Sequence, residues 1–124
     1  MKFKKLVDLA AELRSETGCP WDRKQTISSL VKHFQDEVDE AKEAIEKKDY
    51  SNLKEELGDV LFNLLMICQI AKEEGHFNTD EVLDDIAKKI IDRHSWVFGE
   101  DKVTTAEEAM QKWQENKAKL RKEK

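Results

Sequence analysis

A chain of 124 residues with 39% hydrophobic content is long enough for one domain built on a single core, without a disulfide scaffold. Charged residues make up 40% of it and the net charge is −5, so no general attraction to nucleic acid or to an anionic membrane surface is expected. An anionic ligand would need local cations or a metal to hold it.

The basic start, Met1-Lys2-Phe3-Lys4-Lys5, is followed by no apolar run, because Asp8, Glu12, Arg14 and Glu16 interrupt the next stretch, and a secretory signal is not expected. The first helix is placed at about Phe3 to Glu16 and stops at Gly18-Cys19-Pro20. The second runs from about Ser28 to Lys47, the third from Ser51 to Glu74, the fourth from Thr79 to His94, and the last from Thr105 to about Lys122. Ser51 and Thr79 can cap their helices, Gly75-His76 can end the third, and Thr105 with Glu108 forms a capping-box pattern. Strand-like alternation is absent, so the class is all-α: an antiparallel helical bundle in which the second and third helices form a hairpin around Lys48-Asp49-Tyr50. The tail from about residue 118 has little to bury and is expected to fray.

The longest apolar run, Val60 to Ala71, contains Asn63 and Gln69 and falls short of the roughly 20 residues a membrane helix needs. Cys19 and Cys68 belong to no metal-type or redox-type pair and read as reduced thiols of a cytoplasmic protein.

Two acid-x-x-acid pairs stand out, Glu37 with Glu40 and Glu56 with Asp59. A separation of three positions leaves two helical side chains roughly 60° apart, close enough to bite one ion. In so acidic a chain the same spacing also describes a solvated face. Position relative to the apolar stripe separates the two readings. On the second helix Ile27, Leu30, Val31, Phe34, Val38, Ala41 and Ile45 mark the core side, and Glu37 lies nearer to it than Asp36, Asp39 or Glu43. Glu40 lies further round the same flank. After Asp59 the third helix is apolar on nearly every side, so Glu56, Asp59 and Asn63 form one polar strip on a rod expected to be buried in a core or a subunit interface. Buried anions need partners, and all-oxygen ligation suits Mg²⁺, or Mn²⁺, over zinc. The absence of Glu-x-x-His on either helix argues against a di-iron bundle.

On the fourth helix Lys89 and Arg93 are one turn apart near the C-terminal end, where they either complement the helix dipole or clamp phosphate. Trp21, ahead of Asp22, Arg23, Lys24 and Gln25, either anchors its loop or offers a stacking face for a base. His33, His76 and His94 show no metal-ligand spacing. Trp96 and Phe98 are expected to pack the segment after the fourth helix.

Several of these stretches together resemble the MazG nucleotide pyrophosphohydrolases. Gly18-Cys19-Pro20-Trp21-Asp22-x-x-Gln25-Thr26 looks like that family's opening signature, and Glu37 and Glu40 its E-x-x-E. Glu56 and Asp59 match its E-x-x-D, Arg93-His94-x-x-Val97-Phe98-Gly99 its R-H-P-H-V-F-G, and Trp113-Gln114-x-x-Lys117 its terminal W-E-x-I-K. The resemblance covers about Leu6 to Lys117, with departures at Ile27, where many members carry His, and at Ser95-Trp96, which stand for Pro-His. It implies an all-α bundle of one such domain over 1–124 and Mg²⁺-dependent cleavage of NTP or dNTP to the monophosphate and pyrophosphate. It further implies a homodimer or dimer of dimers and a role in clearing aberrant nucleotides. By the same resemblance Glu37, Glu40, Glu56 and Asp59 are metal ligands, Lys89 and Arg93 phosphate contacts, and Trp21 part of a nucleotide pocket; Lys24 and Asn63 are further candidate substrate contacts.

Metal and cations would supply the charge stabilisation of phosphoryl transfer, with Glu37 and Glu56 the catalytic carboxylates and Glu37 placed to orient or deprotonate water. The alternatives are a non-catalytic metal-binding helical module, and a narrow-specificity relative acting on dUTP, dCTP or phosphoribosyl-ATP.

Overall fold

Each helix ends where the backbone finds a specific stop. A computed structural model describes residues 1–122 and contains α1 (Lys2–Leu13), α2 (Pro20–Lys24), a 3-10 turn (Ser28–Leu30), α3 (Val31–Glu46), α4 (Tyr50–Glu73), α5 (Thr79–Arg93), α6 (Ser95–Phe98) and α7 (Ala106–Lys122). No strand occurs among the described residues, in agreement with the all-α expectation. The helix α7 continues to Lys122; the final two residues, to which the expectation of fraying also extends, lie outside the described ones.

The first helix stops three residues sooner than its periodicity suggests. The Cys19 amide donates to Leu13 O at 2.9 Å and the Gly18 amide to Ser15 O at 2.9 Å, folding the chain back over the helix end. A Cβ at Gly18 would sit 2.3 Å from the carbonyl oxygens of both Glu12 and Leu13, so only glycine permits this turn. Pro20 then opens the short α2, which lies in a stretch expected to be a loop. The other short helix, α6, was likewise absent from the sequence pattern, being only four residues long.

The chain divides into two compact units, Met1–Thr79 and Asp80–Lys124. In the first, α4 is the central rod, packed along α3 and α1. Its core joins Ala10 of α1, Leu30 of the 3-10 turn, and Met66 and Ile70 of α4, flanked by Leu13, Ile27, Phe62 and Ile67. Alanines 41 and 44 are buried on α3. The α3–α4 hairpin turns through Lys47, Lys48 and Asp49. There Lys48 adopts φ = 56°, the left-handed conformation usually given to glycine, and the Asp49 amide donates to Ala44 O at 3.0 Å. Asp49, not Ser51, caps α4: its Oδ1 accepts from the Asn52 amide at 3.2 Å. Gly75, at φ = 79°, ends α4 with the His76 amide donating to Ala71 O at 2.9 Å.

Arg14, at the end of α1, ties three segments together. Its Nε and Nη2 donate to the Glu73 carboxylate at 3.1 and 2.7 Å, and its Nη1 to the carbonyls of Asp22 and Gln25 at 2.6 and 2.8 Å. Only 9% of this side chain is exposed. The hydrogen bond and the guanidinium charge pull the Glu73 carboxyl below its ordinary range.

In the second unit Thr105 caps α7, with its Oγ1 accepting from the Glu108 amide at 3.1 Å. Glu108 reciprocates one residue earlier than a standard capping box, accepting from the Thr104 amide at 2.9 Å. Asn116 of α7 donates to Arg93 O at 3.1 Å and to Ser95 Oγ at 2.8 Å, holding the α5–α6 corner. Trp96 is half-buried against His94, whereas Phe98 is exposed in this unit and does not pack as expected.

Two substitutions test the hairpin. Lys48→Gly removes left-handed strain and should stabilise the chain by about 0.5–1 kcal/mol, and Asp49→Ala should cost about 1 kcal/mol through the lost cap. Urea unfolding followed by circular dichroism reads both.

Candidate metal centre

The hairpin brings together acids that the sequence holds apart. Glu37 is on α3, and Glu56 and Asp59 are on α4; one carboxylate oxygen from each lies within 4.8 Å of the others. Glu56 is buried, Glu37 half-buried and Asp59 exposed, so the three form a descending wall from core to solvent. Glu40 falls outside this trio. Its carboxyl nevertheless adjoins the cluster, hydrogen-bonded with Glu56 and with Glu37.

Crowding of like charges shows in the protonation of the cluster. Glu56 is pushed up to about 7, first by donating its proton to the Glu40 carboxyl, then by burial, then by the charges of Glu40, Asp59 and Glu37. Glu37 is also raised, chiefly by burial and next by Asp59 and Glu40. Oε2 of Glu37 and Oε2 of Glu56 are both buried without a hydrogen-bond partner. Buried acceptors left unpartnered are costly, and a divalent cation bound by oxygen ligands would satisfy both while removing the repulsion. The donor set therefore fits a hard cation such as Mg²⁺.

Other residues named from the sequence fall around this cluster or in the second unit. Asn63, one turn after Asp59, donates its Nδ2 to Asp59 O at 3.0 Å and is half-buried. The exposed Gly58 needs no close approach within the chain, since a Cβ there would meet nothing within 4 Å. The chain itself covers only part of α4, which was expected to be buried in a core or a subunit interface. Leu65, Met66, Ile70 and Ala71 are buried, but Leu57, Leu61 and Leu64 remain 53%, 37% and 42% exposed. The cause is that α3 and α1 cover only part of its circumference.

Trp21 is 52% exposed and so is no buried anchor; its ring meets His33 edge-on, with centroids 5.4 Å apart at 79°. Lys24 is exposed on the same short helix. In the second unit Lys89 is exposed on α5, and Arg93 places its guanidinium 5.3 Å from the centroid of Trp113, with its Nε buried and unpartnered. Lys117 lies 5.1 Å from the same indole. Sequence reasoning missed the roles of Arg14 and His33. In the sequence Arg14 is one more charge among many, and the lone His33 carries no spacing that marks it as an aromatic partner.

Both cysteines are free and half-buried. Burial pushes the Cys68 thiol up, opposed in part by a hydrogen bond with Thr79. Among the described residues no helix is long and apolar enough to cross a membrane.

A helical hairpin that gathers three carboxylates at one flank is a scaffold able to hold a divalent cation. The model of the MazG nucleotide pyrophosphohydrolase domain matches residues 25–98, and the chain belongs to that family. A solved mazG-related protein from Thermotoga maritima superposes with a TM-score of 0.78 at 32% identity, covering 93% of this chain and 98% of that one. The nucleoside triphosphate pyrophosphohydrolase/pyrophosphatase MazG of Thermotoga maritima is 45% identical over 79% of this chain and 38% of its own length. The nucleoside triphosphate pyrophosphohydrolase of Escherichia coli K12 is 33% identical over 97% of this chain and 46% of its own. The chain thus spans less than half the length of these curated relatives.

The raised Glu56 sets a pH dependence of known sign. An acid whose folded-state pKa exceeds its unfolded value binds more protons when folded, so stability falls as pH rises from about 4.5 towards 7. In metal-free buffer the melting temperature should drop between pH 5 and pH 8. Glu56→Gln should flatten that slope and melt higher than the parent at pH 8.

Proposed function

We propose that this chain is a Mg²⁺-dependent nucleoside triphosphate pyrophosphohydrolase, converting an NTP or dNTP and water to the monophosphate and pyrophosphate. The observation that carries this reading is the convergence of Glu37, Glu56 and Asp59 within 4.8 Å, with buried unpartnered oxygens on Glu37 and Glu56. The family match and the names of the relatives support the same chemistry.

In this reading Glu37, Glu56 and Asp59 hold the cation, and Glu40, beside Glu56, completes the acidic set. A bound Mg²⁺ would neutralise triphosphate oxygens and stabilise the charge that develops during displacement. Water attacks the α-phosphorus in line, the bond from that phosphorus to the bridging oxygen breaks, and pyrophosphate leaves with the electron pair. One cluster carboxylate takes the water's proton, and Glu37, half-buried with a free oxygen, is placed for that task. Trp21, Lys24 and Asn63 are assigned to the nucleotide, and Lys89 and Arg93 to phosphate. The unpartnered Nε of Arg93 is a donor available for an anion. Removal of aberrant nucleotides in the cytoplasm is the role this chemistry suits, and the net charge of −5 argues against nucleic acid as a partner.

The assembly proposed is a homodimer, or a dimer of dimers. Its support is the exposed stripe of Leu57, Leu61 and Leu64 on one face of α4, an apolar surface a second copy would cover.

A pyrophosphate-release assay across canonical and modified nucleotides tests the activity. Wild type should hydrolyse at least one in Mg²⁺ and none in EDTA, while Glu56→Gln and Asp59→Asn should each lose at least about 100-fold in kcat/KM, the loss of several kcal/mol of charge stabilisation. Titration calorimetry with Mg²⁺ and a nonhydrolysable triphosphate separates the enzyme from a simple metal-binding module, which would bind no nucleotide. Light scattering after gel filtration should give twice the chain mass or four times it, and Leu61→Glu should shift it to that of one chain.

A further inference from the structure

Arg14 has four hydrogen bonds, shared between two parts of the chain. The pair to Glu73 fastens α1 to the end of α4. The other pair, from Nη1 to Asp22 O and Gln25 O, grips the C-terminal half of α2 and the residue that follows. That grip fixes the turn carrying Trp21. Gln25 extends it: its Nε2 donates to Trp21 O at 3.0 Å and its Oε1 accepts from Ser29 Oγ at 2.7 Å, linking the turn to the start of α3. Trp21 is 52% exposed, yet its own carbonyl and that of Asp22 are both held, and its ring meets His33 at 5.4 Å.

What the turn presents is an aromatic corner. Trp21 stands at 79° to His33, and His33 lies one helical turn before Glu37 on the same face of α3, about 6 Å along the axis. If the acid cluster takes the triphosphate, a half-exposed indole whose ring partner lies one turn from it is where the flat, apolar end of a nucleotide would stack. The Arg14 anchor is itself buried and charge-paired, so it holds the corner without touching it.

We infer that Arg14 is a positioning residue for the nucleobase: by binding Glu73 and the carbonyls of Asp22 and Gln25 it fixes Trp21 against His33 as the base-stacking corner beside the metal centre. This rests on the hydrolase reading above. Arg14 acts on affinity for the base and leaves the triphosphate and metal end unchanged.

Two ligands separate those ends. One is the α,β-methylene analogue of the nucleotide cleaved fastest in the panel; the other is inorganic tripolyphosphate, which has no base. Both are titrated with Mg²⁺ into wild type, Arg14→Lys, Trp21→Ala and the double variant. Arg14→Lys and Trp21→Ala should each weaken the nucleotide analogue by about tenfold, the order of one base–aromatic stack, and leave tripolyphosphate within about twofold. The double variant should be no weaker than Trp21→Ala alone, because Arg14 acts through Trp21. Steady-state kinetics should show the same loss in KM with kcat retained. Equal loss for both ligands, additive losses in the double variant, or no loss overturns the inference. If Arg14→Lys does not fold by circular dichroism, Glu73→Gln takes its place, since it frees the far end of the same clamp, and the same outcomes decide. Failure of wild type to bind either ligand with Mg²⁺ would overturn the hydrolase reading and this inference with it. Binding of tripolyphosphate with Trp21→Ala indifferent to the base would overturn this inference alone.

Discussion

Packing of α3 along α4 forces acids together that would otherwise avoid one another. Buried alanines 41 and 44 let α3 come close, and the short Lys47–Asp49 turn fixes the register, so Glu37 faces Glu56 and Asp59 with Glu40 alongside. The repulsion is answered by protons, with Glu56 pushed up to about 7 and hydrogen-bonded with Glu40. Stability is spent at this spot, and a cation would return it. An apolar core able to hold the helices in place despite that repulsion is what the site requires of the rest of the unit.

Arg14 is the converse arrangement, a charge with only 9% of its side chain exposed, in which each of the three nitrogens donates at least one hydrogen bond. It faces a carboxylate and two carbonyls, so its burial is compensated and its geometry is rigid. The acid cluster keeps two buried oxygens without a partner, and the Arg14 clamp has no such atom. The acid cluster and the Arg14 clamp both stand within the first unit of the chain.

The main helices were legible because their apolar stripes repeat at helical spacing, and Glu37 was correctly placed nearer the core than its acidic neighbours. Legibility failed where tertiary contacts overrule local pattern. The end of α1 depends on Gly18 approaching the carbonyls of Glu12 and Leu13, and the cap of α4 falls to Asp49 because Lys48 takes the left-handed turn. Periodicity marked α4 as apolar nearly all round but could not say which sides the chain itself covers. Within the site, the buried and orphaned oxygens could not be read from spacing, nor could the separation of Glu40 from the trio. The Arg14 clamp was invisible because Glu73 lies 59 residues away.

The hairpin turn has a further consequence for how the protein is made. The converging acids belong to consecutive helices joined by three residues, so their meeting needs no distant strand or late-arriving segment. Contacts this local close early and at small entropic cost, and helical hairpins of this kind fold fast. The acid cluster should therefore assemble as soon as α4 has emerged during synthesis, which lets a cation act as a folding ligand before the second unit exists.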